Sequence, residues 1–342
     1  MSVLHLLGTA GEGGAETYFV SLVTALARKG LDQACAIRPH AVREAALRGA
    51  GVATQSFGFG GPIDLLSRPR IARFARAQGA KVALAWMNRA ARHTPAGPWA
   101  RVGRLGGYYN LKYYRGFDVL VANTEDIAGW IADQGWPAGN IRCIPNFAEA
   151  PTDAEPVNRV SLDTPAAAPL LLSMGRLHEA KAHDVTLRAM VLLPDAYLWI
   201  AGAGPQAARL KALALAYGVA ARVRFLGWRT DPSALYRTAD LCVFPSRHEP
   251  LGNVVIQAWA HGLPIIAAAS QGPAALIRDG EDGLLVPIDD PDALATGIRR
   301  MLGDGTLRRA AVARGLARVT AEFSASAVVA QWQKLFEELG AH

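Results

Sequence analysis

The chain has 342 residues, half of them apolar and 19% charged, which is too long for one ordinary core and predicts two soluble globular domains. Three scattered cysteines, Cys35, Cys143 and Cys242, exclude a disulfide framework or a zinc site and suit a reducing cytoplasm; no signal peptide and no spanning segment is expected. The net charge of +7 lies wholly in residues 1–150, which carry 17 Lys/Arg against 10 Asp/Glu, whereas residues 151–342 carry 19 of each.

In chain order, an apolar run at 3–7 predicts a first strand, followed by a glycine-rich turn and a helix over 16–28. Further apolar runs at 34–37, 82–86 and 119–122 alternate with helical patterns, as parallel βαβ construction requires. The turn Gly8-Thr9-Ala10-Gly11-Glu12-Gly13-Gly14-Ala15-Glu16 lets backbone amides approach a phosphate at a helix N-terminus. It lacks the Lys-Ser/Thr of a Walker loop. Residues 65–117 hold eleven cations (seven of them Arg68, Arg70, Arg73, Arg76, Lys81, Arg89 and Arg92) and no acid. Such a one-signed field concentrates anionic partners. Within it, residues 99–117 interleave Trp99, Tyr108, Tyr109, Tyr113, Tyr114 and Phe117 with Arg101, Arg104, Lys112 and Arg115. Two readings stand side by side: a membrane interface, or a core helix with snorkelling ends.

Composition divides the chain into an N-terminal domain over 1–150, a linker at 151–168, a second domain over 169–325 and a closing amphipathic helix over 326–342. Strands are expected at 170–174, 197–201, 223–226, 241–245, 264–268 and 283–287, with helices at 183–193, 206–217, 232–239, 253–261, 273–277 and 291–301. This is the grammar of a doubly wound α/β sheet, whose ligands bind beyond the carboxyl ends of the strands. After the first of these strands come Gly175, Arg176 and Lys181, a planar fork and a point charge suited to a diphosphate. Gly202-Ala203-Gly204-Pro205-Gln206-Ala207 fits the dinucleotide pattern, but no acid closes the following strand. A dehydrogenase is therefore disfavoured, and both glycines are read as turn residues. After the strand at 241–245, Glu249-Pro250-Leu251-Gly252-Asn253 puts a carboxylate before a helix N-terminus, and Gln257 follows about one turn inside the helix. Asp290-Pro291-Asp292 has the form of a metal-binding D-x-D but opens a helix, so capping is expected.

The segment from Glu249 to Gln257 resembles the E-x7-E signature of glycosyltransferase family 4, retaining enzymes of the GT-B fold. Gly13-Gly14-Ala15-Glu16, Gly175-Arg176-Leu177 with Lys181, and Gly280-Glu281-Asp282-Gly283 agree and occur in family order. Asn123-Thr124 and Ile144-Pro145-Asn146 look like the family's inter-domain stretch, and Arg104-Leu105-Gly106-Gly107-Tyr108-Tyr109 resembles bacterial lipopolysaccharide-core transferases. The resemblance implies two Rossmann-like domains facing across a cleft, with the C-terminal helix returning to the first. It implies catalytic roles for Arg176, Lys181 and Glu249, with the cations on the diphosphate and Glu249 on the sugar hydroxyls. It implies donor contacts from Gly13, Gly14, Gly175, Pro250, Leu251, Gly252, Asn253 and Gln257, and no metal or other cofactor. Two departures stand out. Gln257 replaces the family's second carboxylate. The family's N-domain histidine is missing, leaving Asn88, Arg89 and His93 as acceptor-side candidates.

The function this predicts is transfer of a hexose-type sugar from a nucleotide-diphosphate sugar, UDP- or GDP-linked, to an anionic glycan or glycolipid in lipopolysaccharide or envelope polysaccharide synthesis. The enzyme is expected at the cytoplasmic face of the inner membrane, without nucleic acid. The alternatives are a non-hydrolysing nucleotide-sugar epimerase and a catalytically impaired sugar-nucleotide or glycan binding protein.

Overall fold

The computed structural model describes residues 2–11, 13–60, 64–150 and 153–340; Glu12 of the first glycine-rich turn lies outside them. The chain forms two compact units, one of residues 1–146 with 325–342 and one of residues 147–324.

The first unit starts with β1 (Ser2–Leu7), α1 (Gly14–Arg28), β2 (Gln33–Ile37), α2 (Ala41–Gly49), β3 (Ala53–Ser56) and α3 (Ser67–Ala77). It continues with β4 (Ala80–Trp86), α4 (Met87–His93), β5 (Ala100–Leu105), β6 (Val119–Ala122), α5 (Glu125–Asp133) and β7 (Ile141–Cys143). The strands form one parallel sheet in the order β3-β2-β1-β4-β5-β6-β7. Strands covered on both faces read as continuous apolar runs, which is why β1, β2, β4 and β6 are legible in the sequence. β3, β5 and β7 are not legible in the same way because they break that rule. β3 is a polar edge strand, β7 has three residues, and β5 carries Arg101 and Arg104.

For residues 99–117 the structure corrects the core-helix alternative. They form β5, a loop and a short 3-10 turn at Leu111–Tyr114, not a helix. Trp99, Tyr114 and Phe117 are buried, while Tyr108, Lys112 and Arg115 are exposed.

In the second unit follow β8 (Leu170–Met174), α6 (His183–Ala189), β9 (Tyr197–Ala201), α7 (Ala207–Ala216), β10 (Val223–Gly227) and α8 (Pro232–Thr238). Then come β11 (Leu241–Phe244), α9 (Asn253–Ala260), β12 (Ile265–Ala268), α10 (Gln271–Leu276), β13 (Leu284–Val286), α11 (Pro291–Gly303) and α12 (Gly305–Arg318). The parallel order is β10-β9-β8-β11-β12-β13. Asp290 caps α11 by accepting from Ala293 N at 2.8 Å, with Pro291 in the first turn, so the D-x-D string is a helix start. The stretch read as a linker is packed within this unit over its described part. Its Thr164 hydroxyl accepts from the buried Trp199 indole at 2.9 Å, and Arg159 pairs with Asp240 at 2.9 Å.

After Ser324 the chain rejoins the first unit as α13 (Ala325–Glu338), which packs on α1. Its buried residues Val328, Val329, Trp332, Leu335 and Phe336 recur at helical spacing and make one apolar stripe.

Among the described residues no helix is long and apolar enough to cross a membrane. All three cysteines are free.

Candidate active site

In a doubly wound sheet, the crevice for a ligand opens where the strand order reverses, because the loops on either side turn apart there. In the second unit that point lies between β8 and β11, paired at Leu171 with Leu241 and Leu172 with Cys242. The loop after β8 carries Gly175, Arg176 and Lys181. The loop after β11 carries Glu249, Pro250, Leu251 and Gly252.

Two glycines seat the first of these loops. A Cβ on Gly202 or Gly204 would overlap the carbonyl oxygens of Gly175 and Leu177 respectively. Without side chains there, Gly175 N donates to Ala201 O and Leu177 N to Ala203 O, both at 3.0 Å. The turn-residue reading thus acquires a purpose, since it stacks the loop after β9 beneath the one bearing the cations. Ala182, in the left-handed region at φ 51°, ends the 3-10 turn holding Lys181 and starts α6.

Lys181 Nζ makes an ion pair with Glu249 Oε2, which joins the two loops across the switch point. The ammonium also lies 5.4 Å from the Phe244 ring centroid, a further favourable contact for a partly desolvated cation. Glu249 Oε1 accepts from Gly252 N at 3.3 Å, and its carbonyl accepts from Gly272 N at 2.7 Å. Gly252, at φ 84°, then turns the chain into α9. The backbone on either side is pinned by Arg247, whose amide donates to Ala180 O at 2.9 Å and whose guanidinium bridges Asp184 and Asp289. Arg176 is exposed and has no ion-pair partner among the described residues. One turn inside α9, Gln257 Oε1 accepts from the Tyr236 hydroxyl at 3.0 Å. Burial raises the Tyr236 pKa well above its ordinary value, so the phenol stays a neutral donor. Tyr236 went unnoticed in the sequence because nothing local marks a tyrosine on α8 as the partner of a residue on α9.

Behind Lys181 the ring of His183 is 2% exposed, with Nδ1 3.1 Å from Ser173 Oγ. Burial lowers its pKa to about 4, which keeps it neutral.

The first unit has its own switch point, between β1 and β4, paired at Leu7 with Trp86. Gly13 precedes α1 and Gly14 opens it, on the loop after β1. Asn88 and Arg89 lie in the first turn of α4, immediately after β4, where Met87 is held at φ 63°. The two loops touch: a Cβ on Gly8 would come within 3.0 Å of Arg89 Cγ. Arg89 is exposed and Asn88 half-buried. His93, by contrast, is 3% exposed at the far end of α4. Its Nδ1 lies 2.8 Å from Arg89 O, its Nε2 3.8 Å from Asp64, and its ring packs edge-on against Phe59. That side chain is part of the core packing and is not presented to a ligand.

Arg104, one of the cations of the acid-free run, is 3% exposed near the carboxyl end of β5. Its guanidinium lies 4.9 Å from the Tyr18 ring and 4.7 Å from the Trp86 ring and donates to Asn146 Oδ1. No local signal marks this burial, since a buried arginine between aromatic rings looks like any other arginine in a basic run.

Residues 168–304 match the family model described as glycosyl transferases group 1. A lipopolysaccharide core biosynthesis glycosyltransferase of Rhizobium meliloti (strain 1021), LpsE, is 38% identical over 327 residues, covering 95% of this chain and 96% of that one. The chain belongs to the group 1 glycosyltransferases. A second R. meliloti lipopolysaccharide core biosynthesis glycosyltransferase, LpsD, is 37% identical over 341 residues, 98% of each chain. Among solved structures, Anabaena HepE in complex with UDP superposes with a TM-score of 0.86 at 18% identity, over 99% of this glycosyltransferase and 100% of that chain. WaaG, described as a glycosyltransferase involved in lipopolysaccharide biosynthesis, does so with a TM-score of 0.70 at 17% identity, over 96% and 97%. The glycosyltransferase therefore has the GT-B fold, with one Rossmann-like parallel sheet in each unit.

Proposed function

We propose that this glycosyltransferase moves a hexose-type sugar, with retention of anomeric configuration and without a metal, from a nucleotide-diphosphate sugar to a membrane-associated glycan or glycolipid of the lipopolysaccharide core. The observation that carries the reading is the Lys181–Glu249 pair spanning the switch point of the second sheet, with unpaired Arg176 on the same loop as Lys181. Breaking a bond between a sugar and a diphosphate leaves negative charge on the departing nucleotide, and fixed cations at that position lower the barrier. Lys181 has three N–H donors and spends one on Glu249, so two remain for phosphate oxygens. Arg176 adds a planar fork. Glu249, held by Lys181 and by Gly252 N, is oriented to accept from sugar hydroxyls.

The N-terminus of α9 around Leu251, Gly252 and Asn253 suits the phosphates, with Pro250 shaping the turn before it, and Gln257 suits the ribose. Gly13 and Gly14 offer amides from the first unit, and Asn88 and Arg89 are the groups proposed to meet the acceptor. UDP bound to HepE, and the lipopolysaccharide-core assignment of LpsE and LpsD, support the donor and acceptor classes. The exposed cations of the first unit support an anionic acceptor at the cytoplasmic face of the inner membrane.

The test is incubation with radiolabelled UDP-, GDP- and ADP-sugars and a membrane extract, with and without chelator. Label entering lipopolysaccharide in the presence of chelator, with the donor's anomeric configuration kept in the product by NMR, is the expected result. Donor binding without transfer indicates a binding protein, and isomerised free nucleotide-sugar an epimerase; either overturns the reading.

A further inference from the structure

On the flank of the first unit is a cavity of about 210 Å³ whose walls include Arg68, Arg92, Arg101, Lys112 and Arg115. These five cations come from four parts of the chain: α3, α4, β5, and the 3-10 turn after it with Arg115 at its end. Among the described residues none of the five has a carboxylate within ion-pair distance. Asp118 and Asp64 are held by other hydrogen bonds, not by the side chains of these cations. Asp118 accepts from the Arg101 backbone amide at 2.7 Å, and Asp64 accepts from Gly60 N at 2.7 Å and from the Ser67 hydroxyl.

The cavity is shaped as well as charged. Gly116, at φ 79°, leaves room that a Cβ would fill, since such an atom would sit 2.8 Å from Arg101 Nη2. The guanidinium instead lies along the Phe117 ring, 5.7 Å from its centroid. Arg68 is steered towards the same place by donating to Thr94 O at 3.3 Å. Convergence of like charges costs energy, and a bound anion relieves it.

The position separates this cavity from the proposed sugar-transfer chemistry. Arg101 is the second residue of β5, four residues before the carboxyl end at Leu105, roughly 13 Å along the strand. Arg92 and Thr94 lie at the closing end of α4, not at its start beside Arg89. The volume is also below the roughly 300 Å³ at which pockets for drug-sized ligands begin, which suits a single charged group better than a nucleotide.

We infer that this cavity is a phosphate-binding site, distinct from the switch-point loops, that holds a phosphate monoester or diester by guanidinium forks and one ammonium. Arginine forks match phosphate oxygens in pairs, and four guanidinium groups with one ammonium exceed the charge of a dianion. Leu65 and Leu66, 79% and 68% exposed, come just before α3 and Arg68. Apolar side chains beside a phosphate site fit a phosphate carried at a bilayer surface, whether on a phospholipid headgroup or on a glycan. The site does not depend on the transfer reaction proposed above.

The experiment is calorimetric titration of the full chain with inorganic phosphate in phosphate-free buffer, in parallel with UDP. Arg92→Ala/Arg101→Ala is expected to weaken phosphate binding by at least about tenfold, and Lys112→Ala less, with UDP affinity unchanged in both. Arg73→Ala/Arg76→Ala, two exposed cations of α3, removes the same charge outside the cavity and is expected to change phosphate affinity less than about twofold. Equal losses in the two double variants, or no phosphate binding by the parent, overturn the site in favour of a diffuse field. Sedimentation with phosphatidylglycerol and phosphatidylcholine vesicles identifies the carrier. Phosphatidylglycerol binding that is lost in Arg92→Ala/Arg101→Ala and displaced by phosphate assigns a lipid headgroup. Phosphate binding lost without change in vesicle binding assigns a glycan-borne or free phosphate. Failure of UDP to bind while phosphate binds sinks the donor reading and leaves this site standing.

Discussion

Tyr236 donates its hydroxyl hydrogen bond to Oε1 of Gln257 at 3.0 Å, so the carbonyl end of the amide is engaged and its NH2 end remains as donor. The geometry says how a neutral residue serves where relatives of the E-x7-E pattern have an acid. In the proposed ribose site an amide held this way would donate to a ribose oxygen, whereas a carboxylate would accept from both the phenol and a ribose hydroxyl. Gln257→Glu is therefore expected to tighten UDP binding by about fivefold, the difference between a neutral and a charged hydrogen bond. Tyr236→Phe frees the amide to rotate and is expected to raise the donor KM severalfold with kcat little changed. Calorimetry with UDP and steady-state kinetics check both; unchanged affinity in Gln257→Glu removes residue 257 from the ribose site.

Lys181 and Glu249 act as a pair but are assigned different work. Lys181→Ala and Glu249→Ala are each expected to lower transfer by at least about a hundredfold, as loss of a preorganised charge does. The lysine variant should also weaken UDP binding, because its ammonium is the group proposed to meet the diphosphate. The glutamate variant should leave UDP binding nearly intact and lose the sugar's contribution instead. Thermal unfolding near that of the parent in both variants, since the pair is partly exposed, shows that the loss is functional. Near-parental transfer in either removes its assigned role.

Gly202→Ala tests the stacking of the loops after β8 and β9. The new methyl would overlap Gly175 O, and the backbone at φ 151° is one that L residues rarely adopt. A cost of at least about 2 kcal/mol is expected, a fall in Tm of about 4–8 °C for a unit of this size. UDP affinity should fall with it, because the displaced loop carries Arg176 and Lys181. A variant with parental Tm and parental UDP affinity contradicts the stacking role.

Arg104 holds β5, α1, β4 and Asn146 together through the faces of Tyr18 and Trp86 and its bond to the Asn146 amide. Arg104→Ala is expected to destabilise the first unit by about 3 kcal/mol, through lost stacking and a cavity. Arg104→Lys should recover little, since a compact ammonium does not lie between two rings as a planar guanidinium does. Urea unfolding followed by tryptophan fluorescence measures both, and full rescue by lysine would show that charge alone matters.

Two buried imidazoles set an acid limit on stability. Burial lowers the pKa of His183 to about 4 and that of His5 to about 3, against about 6.5 unfolded. The unfolded chain therefore binds more protons below pH 6.5, and stability is lost as pH falls from there towards the folded values. Tm is expected to hold between pH 7 and 8 and to fall steadily below pH 6.5. His183→Gln should flatten that fall, and an equally steep profile in the variant assigns the acid sensitivity elsewhere.

Much of the second unit was readable from residues 170–301. β8 and β9 begin and end where the apolar runs do, because strands covered on both faces leave no polar positions to blur them. Of the two glycines read as turn residues, Gly202 has a φ that side-chain-bearing residues avoid, as do Gly175 and Gly252 of the donor-side loops. Two helical features of that half were not read. α12 has a weak apolar stripe, and α10 begins at Gln271, two residues before the proline that suggested its start.

What the sequence determined by itself is whatever depends on neighbours along the chain: alternation of strand and helix, the loops bearing Arg176, Lys181 and Glu249, and the acid-free run of the first half. What only the tertiary structure decided depends on which distant segments meet. Arg104 and Arg101 stand three residues apart on one strand, yet one is sealed between Tyr18 and Trp86 while the other lines an open cavity with Arg68, Arg92 and Lys112. Charge is a property of the residue. Whether that charge is desolvated by aromatic rings or gathered with other cations towards solvent is set by the sheet order and the crossovers that bring α1, α3, α4 and β5 together.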